Sequence, residues 1–487
     1  MKAEQLVSAL LPEIWLLVSA LITLLVGVWC ETKYARVNQI CHWMSVVGLL
    51  ICGLLVLTQW NLPMTTDKHQ MLISGGLSVF ARLVIVVLAL VCLLLVRPDA
   101  ERKLPIEFYF LFSTATLGMI LMASTSNLLM AFVALELSSL SLYVLTALEH
   151  DRKSAEGSFK YFILGAVASA FMLFGMSYIY GVSGSLSFHG IAQGLEGEHV
   201  SMVLLAGMIF VMAGFAFKIA SVPFHFWAPD TYQVAPLPVS AFIASASKVA
   251  GFILLGRFLL EAGLPKGVAG IGPEGVYGTS GWLIIISVMA VASIIFGNIA
   301  AIGQKSFRRL LAYSAIGHAG YLLIGLASGT EEGFVATLYY VTVYAFAVIG
   351  AFSIIACEEN TDDRIDGLRG LMSQSPIAAM ALLVFILSLA GVPPLAGFFA
   401  KFYVFVVALH DTRLVFLVVI GLLGSVIAFY YYLAVLKWVF VKDANTDRER
   451  KWPLGARISA GICLTVVLIF GLFPSLLLET ITLILSR

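Results

Sequence analysis

Four ionisable side chains lie deep inside long apolar segments of the sequence, where a charge is costly. They are Glu136, Lys218, Lys248 and Lys401. A charged side chain at the middle of a membrane costs at least about 2.5–3.5 kcal/mol on insertion scales. Two buried ion pairs that only hold helices together are the structural alternative, but one carboxylate cannot pair with three amines. The set therefore favours a function, and a row of lysines that exchange protons through water would provide one.

Three further residues are weaker candidates for the same relay. His318 is the one histidine near the middle of a predicted span, and imidazole groups titrate near neutral pH, although a satisfied core histidine is an equal alternative. His225 lies beside prolines and could instead cap open backbone groups. Lys160 lies close to the start of a span and could be a relay group or an anchor. Three other cations near span ends are predicted to snorkel to the headgroups: Arg82, Arg257 and Lys437.

The composition determines which elements could hold these side chains. The chain has 487 residues, 60% hydrophobic and only 12% charged, with a mean hydropathy of +0.99. Soluble domains carry roughly 25% charged residues, so a soluble globular protein is excluded. The net charge of +1 gives no indication of a nucleic-acid partner. The cysteines are scattered without a CxxC pair, and no GxGxxG motif occurs, so we expect no metal, redox cofactor or nucleotide in this chain.

Apolar runs of about 20 residues predict an all-α polytopic membrane protein with fourteen transmembrane helices. Lys and Arg concentrate in the loops after odd-numbered spans, which places those loops in the cytoplasm and both termini outside. The predicted spans are 10–30, 40–60, 74–96, 106–123, 127–149, 158–181, 201–222, 237–261, 281–303, 309–328, 333–357, 375–410, 414–441 and 457–485.

Two predicted spans are interrupted by proline. The stretch 375–410 is too long for one straight helix and contains GVPP at 391–394, which predicts a helix broken inside the membrane. The stretch SVPFHFW at 221–227 predicts a second break followed by a short helix. Breaks five spans apart indicate two inverted five-helix repeats, spans 4–8 and 9–13. The predicted units are N-terminal helices (1–105), a first repeat (106–261), a second repeat (281–441) and a C-terminal helix (457–487).

Four stretches carry a resemblance to a known family. KIASVPFHFWAPDTYQVAPLPVSAFIASASK, from Lys218 to Lys248, resembles the hallmark of the antiporter-like membrane subunits of respiratory complex I and of Mrp-type antiporters. SLAGVPPLAGFFAKFYVF (388–405), FRRLLAYSAIGHAGYLLIG (307–325) and LLMAFVALELSSLSLYVL around Glu136 are similar to the subunit N branch of that family. The resemblance extends over the whole chain.

The resemblance implies a role for each buried group. Glu136 and Lys218 would form the charge pair of a first half-channel, and Lys248 would be the central relay. Lys401 would serve the second half-channel, and His318 matches the family's span-ten histidine. The implied chain is a proton-translocating subunit of an NADH:quinone oxidoreductase that carries no redox chemistry itself.

The same resemblance implies the surroundings of the chain. Flavin, iron–sulfur clusters and quinone would belong to partner subunits, and the neighbours would be the antiporter-like subunit M and the small subunits K, J and A. The location would be a bacterial inner membrane, with both termini periplasmic. A cation/proton antiporter of the Mrp type or a hydrogenase-linked membrane subunit is the alternative within transport. A membrane scaffold whose buried charges only specify helix packing is the alternative outside it.

Overall fold

A computed structural model describes residues 8–30, 34–60, 65–66, 71–97, 104–195, 201–262, 281–356, 363–441 and 452–485. The chain begins with three apolar helices, α1 (Leu11–Trp29), α2 (Tyr34–Thr58) and α3 (Leu77–Leu93). Between α2 and α3, a two-residue strand β1 (Thr65–Thr66) pairs antiparallel with β2 (Ile73–Ser74).

Five spans follow as the first unit. They are α4 (Glu107–Ala123), α5 (Leu128–Thr146), α6 (Arg152–Ser183), a broken span and a bent span, with the short α7 (Phe188–Gly194) after α6. The broken span consists of α8 (Met202–Ile219) and the short α9 (Trp227–Val234). The bent span consists of α10 (Leu237–Phe242), a π-helical turn (Ile243–Ser247) and α11 (Lys248–Glu261).

The second unit has the same order of elements. It contains α12 (Gly281–Ile302), α13 (Phe307–Ala327), α14 (Glu331–Ile355), a broken span and α18 (Val415–Phe440). The broken span consists of α16 (Pro376–Ala390) and α17 (Ala396–Leu409), preceded by the single turn α15 (Leu371–Gln374). Two helices, α19 (Leu454–Leu472) and α20 (Pro474–Leu485), complete the chain.

Matching backbone contacts relate the two units. An isolated β-bridge joins Asn127, which caps α5, to Ser187 after α6, and a second joins Ser306, which caps α13, to Arg364 after α14. The first two helices of each unit also cross at a glycine: Gly118 lies against the backbone of Ser138, and Gly297 lies against that of Gly317 in the same way. The corresponding positions lie 177 to 179 residues apart along the chain, so the structure supports the repeat that the proline breaks predicted.

The membrane spans agree with the prediction. In the described part of the chain, eleven helices are long and apolar enough to cross a membrane, and five shorter apolar helices accompany them. Since α16 and α17 form one broken span and α19 and α20 another, the helices account for fourteen spans. Both proline breaks are confirmed: α8 ends at Ile219 and α16 ends at Ala390, and the residue after each helix, Ala220 or Gly391, is in the left-handed backbone region. The last span differs from the predicted continuous helix, because Pro474 interrupts it after Phe473.

Candidate functional site

Lys218 lies in the last turn of α8, just before the break, and is only 3% exposed. Its Nζ donates hydrogen bonds to Ser138 Oγ at 2.6 Å and to Ser139 Oγ at 3.3 Å, both on α5. A Cβ added at Gly251 of α11 would lie 3.3 Å from Lys218 Cγ. Since Gly251 is one turn from Lys248, the first lysine packs beside the helix that carries the second.

Glu136 also lies on α5 but does not contact Lys218 directly. Its carboxylate is half-buried and accepts a hydrogen bond from Ser169 Oγ of α6. Among the described residues, no nitrogen–oxygen pair of Glu136 and Lys218 lies within 4.0 Å. The structure therefore places the predicted charge pair on adjoining elements, with the hydroxyls of Ser138 and Ser139 holding the ammonium group.

Lys248 is the first residue after the π-helical turn and is 2% exposed. Its Nζ donates to the carbonyl oxygen of Ala315 on α13 and lies 5.4 Å from the ring centroid of Tyr344 on α14. Single π-helical turns interrupt the helix ladder and occur often at functional sites. This turn gave no signal in the sequence, and it positions the lysine that joins the two units.

Lys401 lies on α17 and is 6% exposed. Its Nζ donates to the carbonyl oxygen of Ala390 at 2.9 Å, the last residue of α16, and lies 4.9 Å from the ring centroid of Tyr321. The free carbonyls at the end of α16 and the face of an aromatic ring both favour an ammonium group. The break therefore supplies the polar surroundings of this lysine.

His318 is 3% exposed on α13, between the points that the two lysines reach. Ala315, His318 and Tyr321 follow one another at three-residue spacing and therefore lie on one face of the helix. The imidazole Nδ1 is 2.9 Å from Tyr340 Oη, and Nε2 is 3.2 Å from Tyr432 Oη.

The hydroxyl of Tyr432 also contacts Ser314 Oγ, so the polar contacts extend beyond the imidazole. These tyrosines are functional candidates that the sequence analysis missed, because their separation along the chain gives no motif.

The structure does not connect His225 to this group. Its ring is 2% exposed and packs 4.5 Å from Phe296, centroid to centroid. The Pro223 carbonyl lies near the ring but outside hydrogen-bond geometry, and neither ring nitrogen has a hydrogen-bond partner in the described part of the chain. That His225 caps open backbone groups at the break stays a prediction.

Lys160 lies apart from the buried lysines, in a partly exposed ion-pair cluster. Its Nζ is 2.8 Å from Glu156 and 2.9 Å from Asp230 of α9, and Arg309 of α13 pairs with the same aspartate. Burial raises the pKa of Asp230, but hydrogen bonds from Lys160 and Arg309 outweigh burial, so the pKa lies below its usual value. The geometry favours a structural role for Lys160, as a tie between α6 and α9.

Two of the three predicted anchors are buried, which corrects the sequence analysis. Arg82 is 1% exposed and its Nη1 lies 3.0 Å from Glu13 Oε1 of α1. Arg257 is 3% exposed, pairs with Glu261 at 2.9 Å and donates to the carbonyl oxygen of Ala123. Both arginines were predicted to be anchors because they lie near span ends, and the sequence does not show the partners that they find on other helices. Lys437 is exposed, as an anchor requires.

The described residues contain no group of three or more His, Cys, Asp or Glu side chains that could hold a metal ion. What the buried set can do is bind and release protons. Three amines, an imidazole and a carboxylate lie on helices that contact one another, with serine and tyrosine hydroxyls between them, and each group can accept or donate a proton.

The sequence of the chain is similar to known proteins over nearly its whole length. Residues 125–428 match the family model described as "NADH:quinone oxidoreductase/Mrp antiporter, TM". The "NADH-quinone oxidoreductase subunit N 2" of Acidobacterium capsulatum is 46% identical over 77% of this chain and 76% of that protein. The "NADH-quinone oxidoreductase subunit N" of Rhodospirillum rubrum is 39% identical over 96% of this chain and 95% of that protein.

Solved structures share the fold. A chain of respiratory complex I from Thermus thermophilus with bound aureothin superposes with a TM-score of 0.80 and 32% identity, covering 96% of this chain and 98% of that one. A chain of the Mrp complex from Dietzia sp. has a TM-score of 0.81 at 20% identity, covering 99% of this chain and 96% of that one. At 20% identity, the similarity to the Mrp chain shows a shared fold and nothing more.

Proposed function

The chain belongs to the subunit N family of NADH-quinone oxidoreductase, and on that premise we propose that it moves protons across the membrane through its buried lysines. It is a multi-pass membrane protein of that enzyme's membrane arm. One observation carries the proposal: Lys248 and Lys401 reach one face of α13 on either side of His318, while Lys218 packs beside the helix of Lys248.

The proposed route begins at the Glu136 region of the first unit. Lys218, held by two serine hydroxyls, exchanges a proton with Lys248 through intervening water. Lys248 passes the proton toward His318, and Lys401 receives it beside the carbonyls that end α16. Because the groups lie close together in an apolar interior, the charge on each one changes the proton affinity of the next.

Energy enters the route from outside this chain. Quinone reduction in partner subunits would change the charge next to Glu136, and the change would pass along the lysines as a coupling free energy between sites. We propose that the neighbours are subunit M and the small subunits K, J and A, and that the flavin, iron–sulfur clusters and quinone belong to partner subunits.

We further propose a bacterial inner-membrane location with both termini on the periplasmic side. The Lys and Arg residues of the loops after odd-numbered spans support this orientation. It places α9 and its Asp230 cluster on the cytoplasmic side, where protons would enter.

The test uses the whole complex in inverted membrane vesicles. Lys248→Met keeps the length and apolar character of the stem but removes the ammonium group. We expect the complex to assemble, as judged on a native gel, and NADH-driven proton uptake to fall to near background. Lys437→Met is the matched control, since Lys437 is an exposed lysine near the end of α18. Wild-type uptake in assembled Lys248→Met vesicles would contradict the proposal.

A further inference from the structure

Three tyrosines of α14 and α18 lie around His318, in addition to Tyr321 of its own helix. The hydroxyls of Tyr340 and Tyr432 occupy the two ring nitrogens, as described above. The third, Tyr344, lies one helical turn after Tyr340 on α14, and its ring centroid is 4.8 Å from that of the imidazole. The imidazole therefore has both nitrogens engaged without the Tyr344 hydroxyl.

The hydroxyl of Tyr344 has no hydrogen-bond partner among the described residues, although its side chain is only 2% exposed. A buried unsatisfied hydroxyl is unfavourable, and an apolar group of the same shape would avoid that cost. If the ring served packing alone, phenylalanine would serve better at this position. Packing therefore does not explain why a tyrosine, rather than a phenylalanine, occupies position 344.

The position of Tyr344 supplies that reason. Lys248 Nζ lies 5.4 Å from the Tyr344 ring centroid, and His318 packs against the same ring. Lys248 bonds to the carbonyl oxygen of Ala315, and no hydrogen bond joins it to the imidazole in the described part of the chain. The Tyr344 ring therefore lies near both groups. A phenol both donates and accepts a hydrogen bond, and a water molecule can extend its reach.

We propose that Tyr344 is a proton-relay residue between Lys248 and His318, acting through its hydroxyl and a water molecule bound there. In this step the Tyr344 hydroxyl accepts a proton from the Lys248 ammonium by way of the water and releases its own proton through water to the Tyr340 hydroxyl, which passes its proton to Nδ1 of the imidazole. No net charge remains on the tyrosine, and no oxidant or further reactant is needed. The inference rests on the proposed function, which it deepens by assigning one transfer step.

The experiment compares Tyr344→Phe with Tyr339→Phe in the whole complex. Tyr339 is also buried on α14, but its hydroxyl donates to the carbonyl oxygen of Phe470, away from the relay. A positioned proton-transfer group contributes about 10²–10⁴-fold to a rate, and bound water can replace part of that contribution. We therefore expect NADH-driven proton uptake at least about 10-fold slower in Tyr344→Phe. Tyr339→Phe should pump at the wild-type rate.

The solvent isotope effect separates a relay from a packing role. With the hydroxyl gone, proton transfer limits uptake, so the ratio of rates in H2O and D2O should rise above the wild-type ratio. Wild-type uptake and an unchanged ratio in Tyr344→Phe would overturn the inference. Failure of Tyr344→Phe to assemble would also overturn it, because the hydroxyl would then have a structural partner.

Lys248→Met distinguishes this inference from the proposed function. If Lys248→Met abolishes uptake while Tyr344→Phe pumps normally, only the assignment of Tyr344 fails. If both variants pump normally, the proposed route itself fails.

Discussion

Arg82 and Glu13 form a buried ion pair whose removal has a calculable cost. Arg82 Nη1 lies 3.0 Å from Glu13 Oε1, and Nη2 donates to Gln59 Oε1 at 3.0 Å, so one guanidinium joins α1, the end of α2 and α3. The two side chains are 1% and 5% exposed. Arg82→Met would leave the Glu13 carboxylate buried without its cation, which destabilises a protein by about 3–5 kcal/mol.

The double variant should behave differently from either single variant. Glu13→Leu leaves the guanidinium with three acceptors, the carbonyl oxygens of Ala9 and Ser78 and the amide oxygen of Gln59. We therefore expect this variant to lose about 3 kcal/mol of stability, at the lower end of the range for a broken buried pair. Glu13→Leu with Arg82→Met removes both charges and leaves Gln59 Oε1 without its donor, at a cost of about 1–3 kcal/mol. The sum of the stability losses in the two single variants therefore exceeds the loss in the double variant. The difference is the coupling energy between Glu13 and Arg82 in a double-mutant cycle.

The assay heats the complex in mild detergent and measures, by size-exclusion chromatography, how much of the chain stays monodisperse at each temperature. Asp411 and Arg413 form the control pair: they lie 2.7 Å apart but their side chains are 27% and 45% exposed, so removing either should cost only about 0–1 kcal/mol. Loss of the monodisperse Arg82→Met complex at the same temperature as the wild type would refute this prediction. So would a double variant whose loss of stability equals the sum of the losses in the two single variants.

Three further variants probe the breaks and the cytoplasmic cluster. Gly391→Ala should slow proton uptake although Lys401 is intact, because φ is +89° and the added Cβ would lie 3.1 Å from Lys401 Cδ; left-handed backbone alone costs a non-glycine residue about 1–2 kcal/mol. Ser138→Ala removes the nearer hydrogen-bond acceptor of the Lys218 ammonium. A poorly satisfied buried donor costs about 1–3 kcal/mol, so the charged form of Lys218 becomes less stable and proton uptake should slow severalfold. Asp230→Asn should lower the heat resistance of the complex equally at pH 8 and pH 5. The pKa of Asp230 lies below its usual value of about 4, so its contribution is complete above that value and is lost as pH falls through the lower folded pKa.

Each of these variants has a control or a contrary outcome. Gly461→Ala on α19 adds a Cβ with nothing within 4 Å and should leave uptake unchanged. Ser177→Ala on α6 removes an exposed hydroxyl that bonds only within its own helix. For Asp230→Asn, a loss of heat resistance that is smaller at pH 5 than at pH 8 would contradict the prediction, because it would mean that the wild-type carboxylate titrates between those pH values.

The burial of the three lysines follows from the cost of their charge alone. A charge far from either end of an apolar run must be deep in the membrane, whatever the packing, and Lys218, Lys248 and Lys401 are all buried, whereas Glu136 is half-buried. Near the ends of the spans, the position of a residue along the sequence did not predict whether its side chain is buried. Arg82 and Arg257 were predicted to snorkel, but partners on neighbouring helices hold them inside, and an apolar run contains no information about its neighbours.

Contacts between helices were also beyond the sequence. Glu136 and Lys218 were expected to pair, yet the rotation of α5 brings Ser138 and Ser139 to the lysine, while Glu136 contacts Ser169. One residue changes the direction of a side chain by about 100° around a helix, so the packing angle decides which residue of a short stretch reaches a partner.

The sequence by itself determined the class of protein, the number of spans and the places where two of them break. These depend on the local cost of putting charge, proline and open backbone into hydrocarbon, which needs no partner. Only the tertiary structure decided that Lys248 and Lys401 meet the same face of α13, and that the Tyr344 ring lies near both Lys248 and His318. Those relations join helices far apart in the chain, and they are set by how the helices pack rather than by any local preference.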